Sequence, residues 1–268
     1  MIGAILGDIV GSRFEFDNRK SKKFTLFHRD CVFTDDTVMT LAIAKALLQY
    51  DTVADYEVFS KDLVKIMHGV GRNYPDCGYG GRFYRWMLSN DPKPYKSYGN
   101  GSAMRVSPVA YVARTLEECE KLATATAAVS HNHPQGIRGA VAVAGSVFLA
   151  RKGCTMEELR AYADQHYTID FTLDGIRDGY EYYETCQMSV PQALEAFFES
   201  TSFEDAIRNA VSIGGDSDTI AAITGSVAEA FYGIDEDLKN TALSYLDEPL
   251  LEIAEQFIKK YMSKENEK

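Results

Sequence analysis

The stretch Phe33–Thr37 reads F-T-D-D-T, and a second stretch, Gly214–Thr219, reads G-G-D-S-D-T. Each runs into a segment of small and apolar residues, Val38–Tyr50 after the first and Ile220–Gly233 after the second, which predicts a buried helix in both places. Asp and Thr are favoured just before a helix because their side-chain oxygens accept hydrogen bonds from the free N–H groups of its first turn. A helix cap therefore explains either stretch taken alone.

A cap does not require two carboxylates within three residues, and both stretches have them. Asp35 and Asp36 repel each other unless a cation or a raised pKa relieves them. Carboxylate and hydroxyl oxygens are hard ligands, which favour Mg²⁺, Mn²⁺ or Ca²⁺ over zinc. We therefore predict that the two turns are the halves of one metal site, in which two ions share a bridging carboxylate.

The composition excludes several kinds of partner. The chain has 268 residues and a formal net charge of −11, which argues against a nucleic-acid backbone or an anionic membrane. Its five cysteines are dispersed and contain no C-x-x-C pair, so we expect reduced thiols and a cytoplasmic protein. The longest apolar stretch, Ala140–Ala150, is too short to span a bilayer. Asp8 interrupts the apolar N-terminus, which argues against a signal peptide.

The pattern of apolar residues predicts an all-α fold. No segment alternates apolar and polar residues as a half-buried strand does, whereas about a dozen segments are helical in their periodicity. Two of the predicted helices are Ala103–Ala113 and Asp174–Cys186. No linker rich in proline or serine divides the chain, so we expect a single compact domain over residues 1–268, with a frayed tail at 263–268.

The first helix is predicted over Met1–Ser12, where Gly3, Gly7 and Gly11 recur every four residues. Glycines at that spacing line one face of a helix and allow a second helix to approach closely. Asp8 lies within this apolar segment, where a charge is costly unless it is paired.

Three loops carry residues typical of binding or catalysis. Glu15 lies between two phenylalanines and is either a surface residue or an acid whose pKa is raised beside a cation. The glycines of Gly78–Arg82 would let backbone N–H groups approach a ligand, although a plain turn has the same composition. The turn Ser97–Gly101 is equally consistent with a structural turn and with an anion site in which Tyr98 stacks on a base or sugar.

The segment S-H-N-H-P places His131 and His133 two residues apart, so the two rings cannot share one face of a helix. No cysteine or glutamate stands at a zinc-binding spacing from them, which argues against a zinc site. We expect a histidine here to bind a ligand or to cap the helix that begins at Pro134.

These motifs, in this order, resemble those of the ADP-ribosylglycohydrolase family. The resemblance extends from Ile2 to about Gly233 and rests on the stretches G-A-I-L-G-D-I-V-G-S-R-F-E, F-T-D-D-T, G-Y-G-G, Y-G-N-G-S-A-M-R-V-S-P, S-H-N-H-P and G-G-D-S-D-T. It implies an all-α enzyme that binds two magnesium or manganese ions. It also implies cleavage of the bond between C1″ of ADP-ribose and an acceptor, which is a protein side chain or a small molecule.

The resemblance further implies roles for individual residues. The metal ligands would be Thr34, Asp35, Asp36, Asp216, Asp218 and Thr219. The substrate-binding residues would be Gly80, Gly81, Arg82, Ser97, Tyr98, Gly99, Asn100 and Gly101 on the diphosphate and adenosine side, with His131 at the ribose. Glu15 or Asp36 would be the catalytic residue that handles the proton.

Two departures from the family pattern leave the acceptor open among arginine, serine, a nucleobase and O-acetyl-ADP-ribose. Arg82 stands where some relatives have a smaller residue, and the loop Asn18–Arg29 is short and basic. Two other functions compete with hydrolysis of the glycosidic bond: a dinuclear-metal phosphohydrolase, and a non-catalytic ADP-ribose-binding or crystallin-like protein. We expect a monomer.

Overall fold

The computed structural model describes residues 1–50 and 52–263, and within them the fold is helical. The α-helices in chain order are α1 (Ile2–Ser12), α2 (Asp35–Leu48), α3 (Tyr56–Gly71), α4 (Gly81–Leu88), α5 (Gly101–Met104), α6 (Val109–Val112), α7 (Leu116–Ala128), α8 (Pro134–Arg151), α9 (Met156–Ala163), α10 (Leu173–Ile176), α11 (Cys186–Phe198), α12 (Phe203–Ser212), α13 (Ser217–Tyr232), α14 (Glu236–Leu243) and α15 (Glu248–Phe257). A π-helical segment, Ile258–Met262, follows α15. The described residues contain no β-strand, which confirms the prediction of an all-α fold.

The helices α1 and α13 are largely buried and pack directly against each other. A β-carbon added at Gly7 would lie 2.0 Å from the carbonyl oxygen of Ala221, and one added at Gly3 would lie 2.1 Å from that of Gly225. Only glycine permits this approach, because the opposing atoms belong to the backbone of another helix. The predicted close contact of the glycine face is confirmed, and it brings Asp8 of α1 beside the start of α13.

The other core helices surround this pair. The helix α13 also contacts α8, α11 and α12, whereas α2 contacts α1 and α3. Most side chains of α2 are buried on all sides, as predicted for the segment after the first acidic stretch. These contacts fix the starts of α2 and α13, where the two acidic stretches lie.

The prediction of one helix over Ala103–Ala113 is wrong. The helix α5 ends at Met104, and α6 begins only at Val109. Pro108 explains the break, because proline has no N–H to donate and its ring clashes with the carbonyl four residues earlier in a continuous helix.

The prediction of a helix over Asp174–Cys186 is also wrong. The helix α10 ends at Ile176, and α11 begins at Cys186. Between them the chain turns toward the loop Ser97–Gly101, where the N–H of Asn100 donates to the carbonyl of Glu184 at 2.9 Å. Hydrogen bonds to a distant loop thus take the place of those within a helix.

None of the helices in the described part of the chain combines the length and the apolar character needed to cross a membrane. Residues 264–268, which make up most of the predicted frayed tail, lie outside the described residues. That the chain forms a single domain stays a prediction.

Candidate active site

The first acidic stretch forms the N-terminal turn of α2 and is anchored by α1. Thr34 is the N-cap residue, and its hydroxyl accepts the N–H of Asp36 at 3.3 Å. The fully buried carboxylate of Asp8 accepts hydrogen bonds from the backbone N–H and the hydroxyl of both Thr34 and Thr37. The carboxylate of Asp8, which the sequence marks as costly to bury, is therefore hydrogen-bonded, and its hydrogen bonds fix this turn.

The second acidic stretch forms the N-terminal turn of α13 and is held by loops. Gly214 and Gly215 have φ values of +69° and +75°, a left-handed conformation that favours glycine. The side chain of Asp216 caps no N–H of the helix and instead accepts from Nδ2 of Asn100 at 2.6 Å. Asn18 forms two hydrogen bonds with the backbone of Gly215: its Oδ1 accepts the N–H at 2.7 Å, and its Nδ2 donates to the carbonyl at 3.1 Å.

The two turns meet, and their carboxylates form two groups. The hydroxyl of Thr219 donates to Oδ2 of Asp36 at 3.1 Å, which joins the second turn to the first. Each group has ligand oxygens within 4.8 Å of one another: Asp8, Asp36 and Asp218 in one, and Glu15, Asp216 and Asp218 in the other. Asp218 belongs to both groups, which is the position of a bridging carboxylate.

Burial and mutual repulsion raise the pKa of these carboxyls. Desolvation is the largest cause for each, and for Asp35, Asp36 and Asp218 the charges of neighbouring carboxylates raise the pKa further, well above its usual range. Burial raises the pKa of Asp8 to about 6 despite its hydrogen bonds, and that of Glu15 to about 7. Ionising all of them together without a counter-ion is unfavourable.

The residues present fit divalent cations. Oδ1 of Asp36 is buried and has no hydrogen-bond partner among the described residues. Such an oxygen is costly to bury unless a donor or a cation occupies its lone pairs. The donor atoms around it are carboxylate and hydroxyl oxygens, which suit Mg²⁺ or Mn²⁺. Asp8 differs from its neighbours because N–H and O–H donors already occupy its oxygens, so we interpret it as orienting the turn of α2.

One cavity of about 230 Å³ joins the carboxylates to the glycine-rich loops. All the predicted site residues except Thr34 and Tyr98 line it. A β-carbon added at Gly80 or Gly81 would meet no atom within 4 Å, so these positions face open space. His131 is buried and forms part of the wall. The structure thus brings together residues from turns that are far apart in the chain.

Tyr98 lies outside this lining. Its side chain is 46% exposed, and its ring centroid lies 5.3 Å from that of His133. His133 accepts the N–H of Gln135 at 3.1 Å and is the N-cap residue of α8, which confirms the capping role expected for a histidine of this segment. Arg82 lines the cavity, but its Nη2 donates to the carbonyl of Tyr95 at 2.5 Å.

Six side chains that line the cavity were not predicted from the sequence: the apolar Phe83 and Met104, and the polar Tyr95, Arg105, Tyr182 and Glu184. The hydroxyl of Tyr182 donates to Oε1 of Glu15 at 2.9 Å, so this tyrosine positions the partly exposed acid. Tyr182 and Glu184 lie in the segment wrongly predicted as helical. The density of tyrosine and glutamate in residues 180–184 was the one local signal for a loop that faces a ligand.

Comparisons with known proteins agree with this geometry. The sequence model of the family described as ADP-ribosylglycohydrolase matches residues 1–267. The ADP-ribosyl-[dinitrogen reductase] glycohydrolase of Rhodospirillum rubrum is 30% identical over 267 residues, which cover 92% of this chain and 88% of the relative. The ADP-ribosylhydrolase ARH3 of Mus musculus is 26% identical over an alignment 322 residues long, and the alignment covers 88% of this chain and 83% of the relative. A solved structure titled ADP-ribosylglycohydrolase-related protein complex has a TM-score of 0.69 and 25% identity, and the match covers 96% of each chain.

Proposed function

The chain belongs to the ADP-ribosylglycohydrolase family, and we propose on this premise that it releases ADP-ribose from a modified acceptor by hydrolysing the glycosidic bond at C1″. The observation that carries the proposal is the pair of carboxylate groups that share Asp218. All of their members except Asp8 line one cavity, and Glu15 is among them. Hydrolysis of a glycosidic bond passes through a transition state with positive charge on the sugar, and neighbouring carboxylates stabilise that charge.

Two divalent cations, Mg²⁺ or Mn²⁺, complete the proposed site. The residues that would hold them are Thr34, Asp35, Asp36, Asp216, Asp218 and Thr219. When bound, the cations would supply positive charge that orients the ribose hydroxyls and lowers the pKa of nearby water. The unpartnered Oδ1 of Asp36 and the raised pKa of its carboxyl both support this assignment.

Glu15 is the residue that we assign to proton transfer. Burial, with a further contribution from the charge of Asp216, raises the pKa of Glu15 to about 7. A general acid or base is most effective when its pKa lies near the working pH. Tyr182 donates to Oε1 of Glu15. Oε2 is therefore free to take a proton from the attacking water or to give one to the leaving group. Asp36, which is more deeply buried, is the second candidate for this role.

The remaining walls would hold the rest of the ligand. The loops Gly80–Arg82 and Ser97–Gly101 would contact the diphosphate and adenosine, and His131 would contact the ribose. The exposed ring of Tyr98 is available at the surface to stack on the base. We further propose that the chain acts as a cytoplasmic monomer of one domain on an ADP-ribosylated protein or an ADP-ribosyl small molecule.

A release assay tests the proposal. The protein, with Mg²⁺ or Mn²⁺ and with an EDTA control, is given ADP-ribosyl-arginine, ADP-ribosyl-serine and O-acetyl-ADP-ribose in separate reactions. We expect free ADP-ribose from at least one of them and none in EDTA. Formation of AMP from ADP-ribose itself would instead establish a phosphohydrolase. Tight ADP-ribose binding with no release from these three substrates would indicate either an acceptor outside this set, such as a nucleobase, or a binding protein.

A further inference from the structure

Three buried polar side chains, Arg105, Ser130 and His131, form a chain of hydrogen bonds in the cavity wall, and only Ser130 lies behind the lining. Nη2 of Arg105 donates to Oγ of Ser130 at 2.9 Å and to the carbonyl of Thr126 at 3.2 Å. Oγ of Ser130 lies 2.8 Å from Nδ1 of His131. Arg105 is 1% exposed, Ser130 is fully buried and His131 is 4% exposed, so water does not compete for these bonds.

The direction of these hydrogen bonds follows from the chemistry of the groups. A guanidinium has only donors, so Ser130 must accept from Arg105. The single hydroxyl proton of Ser130 then has Nδ1 of His131 as its acceptor, and a nitrogen that accepts carries no proton. If Nδ1 carried the proton, the hydroxyl proton of Ser130 would be buried without an acceptor, because no other acceptor for it occurs among the described residues. The neutral imidazole therefore carries its proton on Nε2.

The other nitrogen of His131 faces the loop Ser97–Gly101. A β-carbon added at Gly101 would lie 3.3 Å from Nε2, and one added at Gly99 would lie 3.6 Å from it. Nε2 has no hydrogen-bond partner within the described residues, although the ring borders the cavity. The absence of side chains at these two glycines leaves this nitrogen uncovered.

We propose that Ser130 and Arg105 are positioning residues, which hold His131 in one tautomer and one ring orientation so that its Nε2–H donates to an oxygen of the bound ADP-ribose. This inference rests on the proposed function for the identity of the ligand and on the hydrogen-bond chain alone for the tautomer. Arg105 acts through Ser130, and Ser130 acts through His131. Neither of them needs to touch the ligand.

The tautomer is tested on the ligand-free protein by nitrogen-15 NMR of the histidine side chains. The chain has five histidines, and the signals of His131 are identified by their loss in His131→Gln. We expect a protonated Nε2 and an unprotonated, hydrogen-bonded Nδ1, and in Ser130→Ala a shifted Nδ1 signal. A protonated Nδ1 in the wild-type protein would overturn the proposal, whether or not the protein is a hydrolase.

The role in binding is tested with Ser130→Ala and a matched control, Ser107→Ala. Ser107 is also fully buried, but its hydroxyl has no hydrogen-bond partner in the described part of the chain, so its loss leaves His131 untouched. We expect Ser130→Ala to weaken ADP-ribose binding and to raise KM by about tenfold, with little change in kcat. Ser107→Ala should change neither by more than about twofold.

A double-mutant cycle separates positioning from a general loss of structure. Glutamine at 131 keeps an N–H donor near the place of Nε2 but has no tautomer to fix. If Ser130 acts through His131, the Ser130→Ala change should cost little in the His131→Gln background. An equal loss of binding in both backgrounds would overturn the positioning role. A wild-type protein that neither binds nor releases ADP-ribose would refute the proposed function and this donor role together, with the NMR result still deciding the tautomer.

Discussion

The two acidic turns carry nearly the same residues, yet the structure holds them by different means. In the first, the buried carboxylate of Asp8 accepts from Thr34 and Thr37, so a core helix fixes the turn. In the second, two amide side chains from loops, Asn18 and Asn100, fix the backbone and the N-cap carboxylate. The first half of the site is therefore part of the core, and the second half depends on loops.

This difference predicts where substitutions act. A substitution that removes the support of the first turn should mainly lower the stability of the fold, because that support is buried in α1. A substitution that removes the support of the second turn should mainly lower activity, because loops are less strongly coupled to the core. A change at Asp218, which both carboxylate groups share, should affect the two halves together.

Asp218→Asn should produce the largest effect. Replacing the shared carboxylate with a neutral amide removes the negative charge and leaves one ligand oxygen for two groups, and we expect kcat/KM to fall by more than about 1,000-fold, ~4 kcal/mol. The cation-free protein should unfold at the same temperature or higher, since one of several repelling charges is gone. Titration calorimetry with Mn²⁺ provides the comparison with Asp36→Asn, which belongs to one group only. Two ions bound to Asp218→Asn with wild-type affinity would contradict a bridging role.

Gly7→Ala tests whether the contact of α1 with α13 brings the two halves together. The new β-carbon would lie 2.0 Å from the carbonyl oxygen of Ala221, so the helices must separate, and we expect the free energy of unfolding to fall by about 3 kcal/mol. The control is Gly69→Ala in α3, which is exposed and meets no atom within 4 Å. That change should stabilise the protein by ~0.5–1 kcal/mol, as alanine does in a helix. Equal urea midpoints for the two variants would rule out the close contact.

The sequence was sufficient for features that depend on local spacing. Glycines every four residues predict a close helix contact, and Asp and Thr before an apolar segment predict the two turns, because these patterns act within one or two turns of a helix. It was not sufficient for Tyr182 and Glu184. Their loop is shaped by hydrogen bonds to Asn100 and its neighbours, more than 80 residues earlier in the chain, and no local pattern encodes a contact of that range.

Asp8→Asn should destabilise the fold by weakening the support of the first acidic turn. An amide offers one acceptor oxygen where the carboxylate offers two. If that oxygen takes the place of Oδ2, the NH₂ group meets the hydroxyl of Thr34, whose proton then loses its buried acceptor. We expect a loss of about 2 kcal/mol in the free energy of unfolding of the cation-free protein at pH 8, measured in urea. Asp91→Asn is the control, because that side chain is 78% exposed and should change stability by less than about 0.5 kcal/mol. Unchanged stability in Asp8→Asn would mean that the carboxylate does not support the turn.

Cation affinity measured as a function of pH allows the two carboxylate groups to be compared without a change in the fold. Burial raises the pKa of Glu15 to about 7 and that of Asp8 to about 6, so folding favours the protonated forms. This contribution to stability is fully present below the unfolded pKa of about 4 and is lost as pH rises through 6 and 7. A cation needs the ionised forms, so its affinity should rise about tenfold per pH unit, ~1.4 kcal/mol, for each proton released.

Calorimetry with Mn²⁺ between pH 5.5 and pH 7.5 measures this slope. We expect Glu15→Gln to reduce the slope near pH 7 by one proton, because the amide does not titrate. An identical slope in the variant would show that Glu15 releases no proton on binding, and the released protons would then come from other carboxyls of the two groups.

Asn18→Ala should have the smallest effect on the fold and is the most direct test of the loop-held half. It removes the two hydrogen bonds to Gly215 and those that Nδ2 donates to the carbonyls of Phe14 and Glu15. Because the protein and water exchange such bonds, we expect a loss of only ~1 kcal/mol in stability. Activity should suffer more, about tenfold in kcat/KM, because Asn18 holds the backbone at Glu15 and next to Asp216, and a small displacement of either carboxylate is costly in a catalytic site. Asn73→Ala, which removes one exposed hydrogen bond to Gly69, is the control and should change neither quantity measurably. If Asn18→Ala costs stability and leaves kcat/KM intact, then the second turn is as much a part of the core as the first, and the contrast between the two halves is wrong.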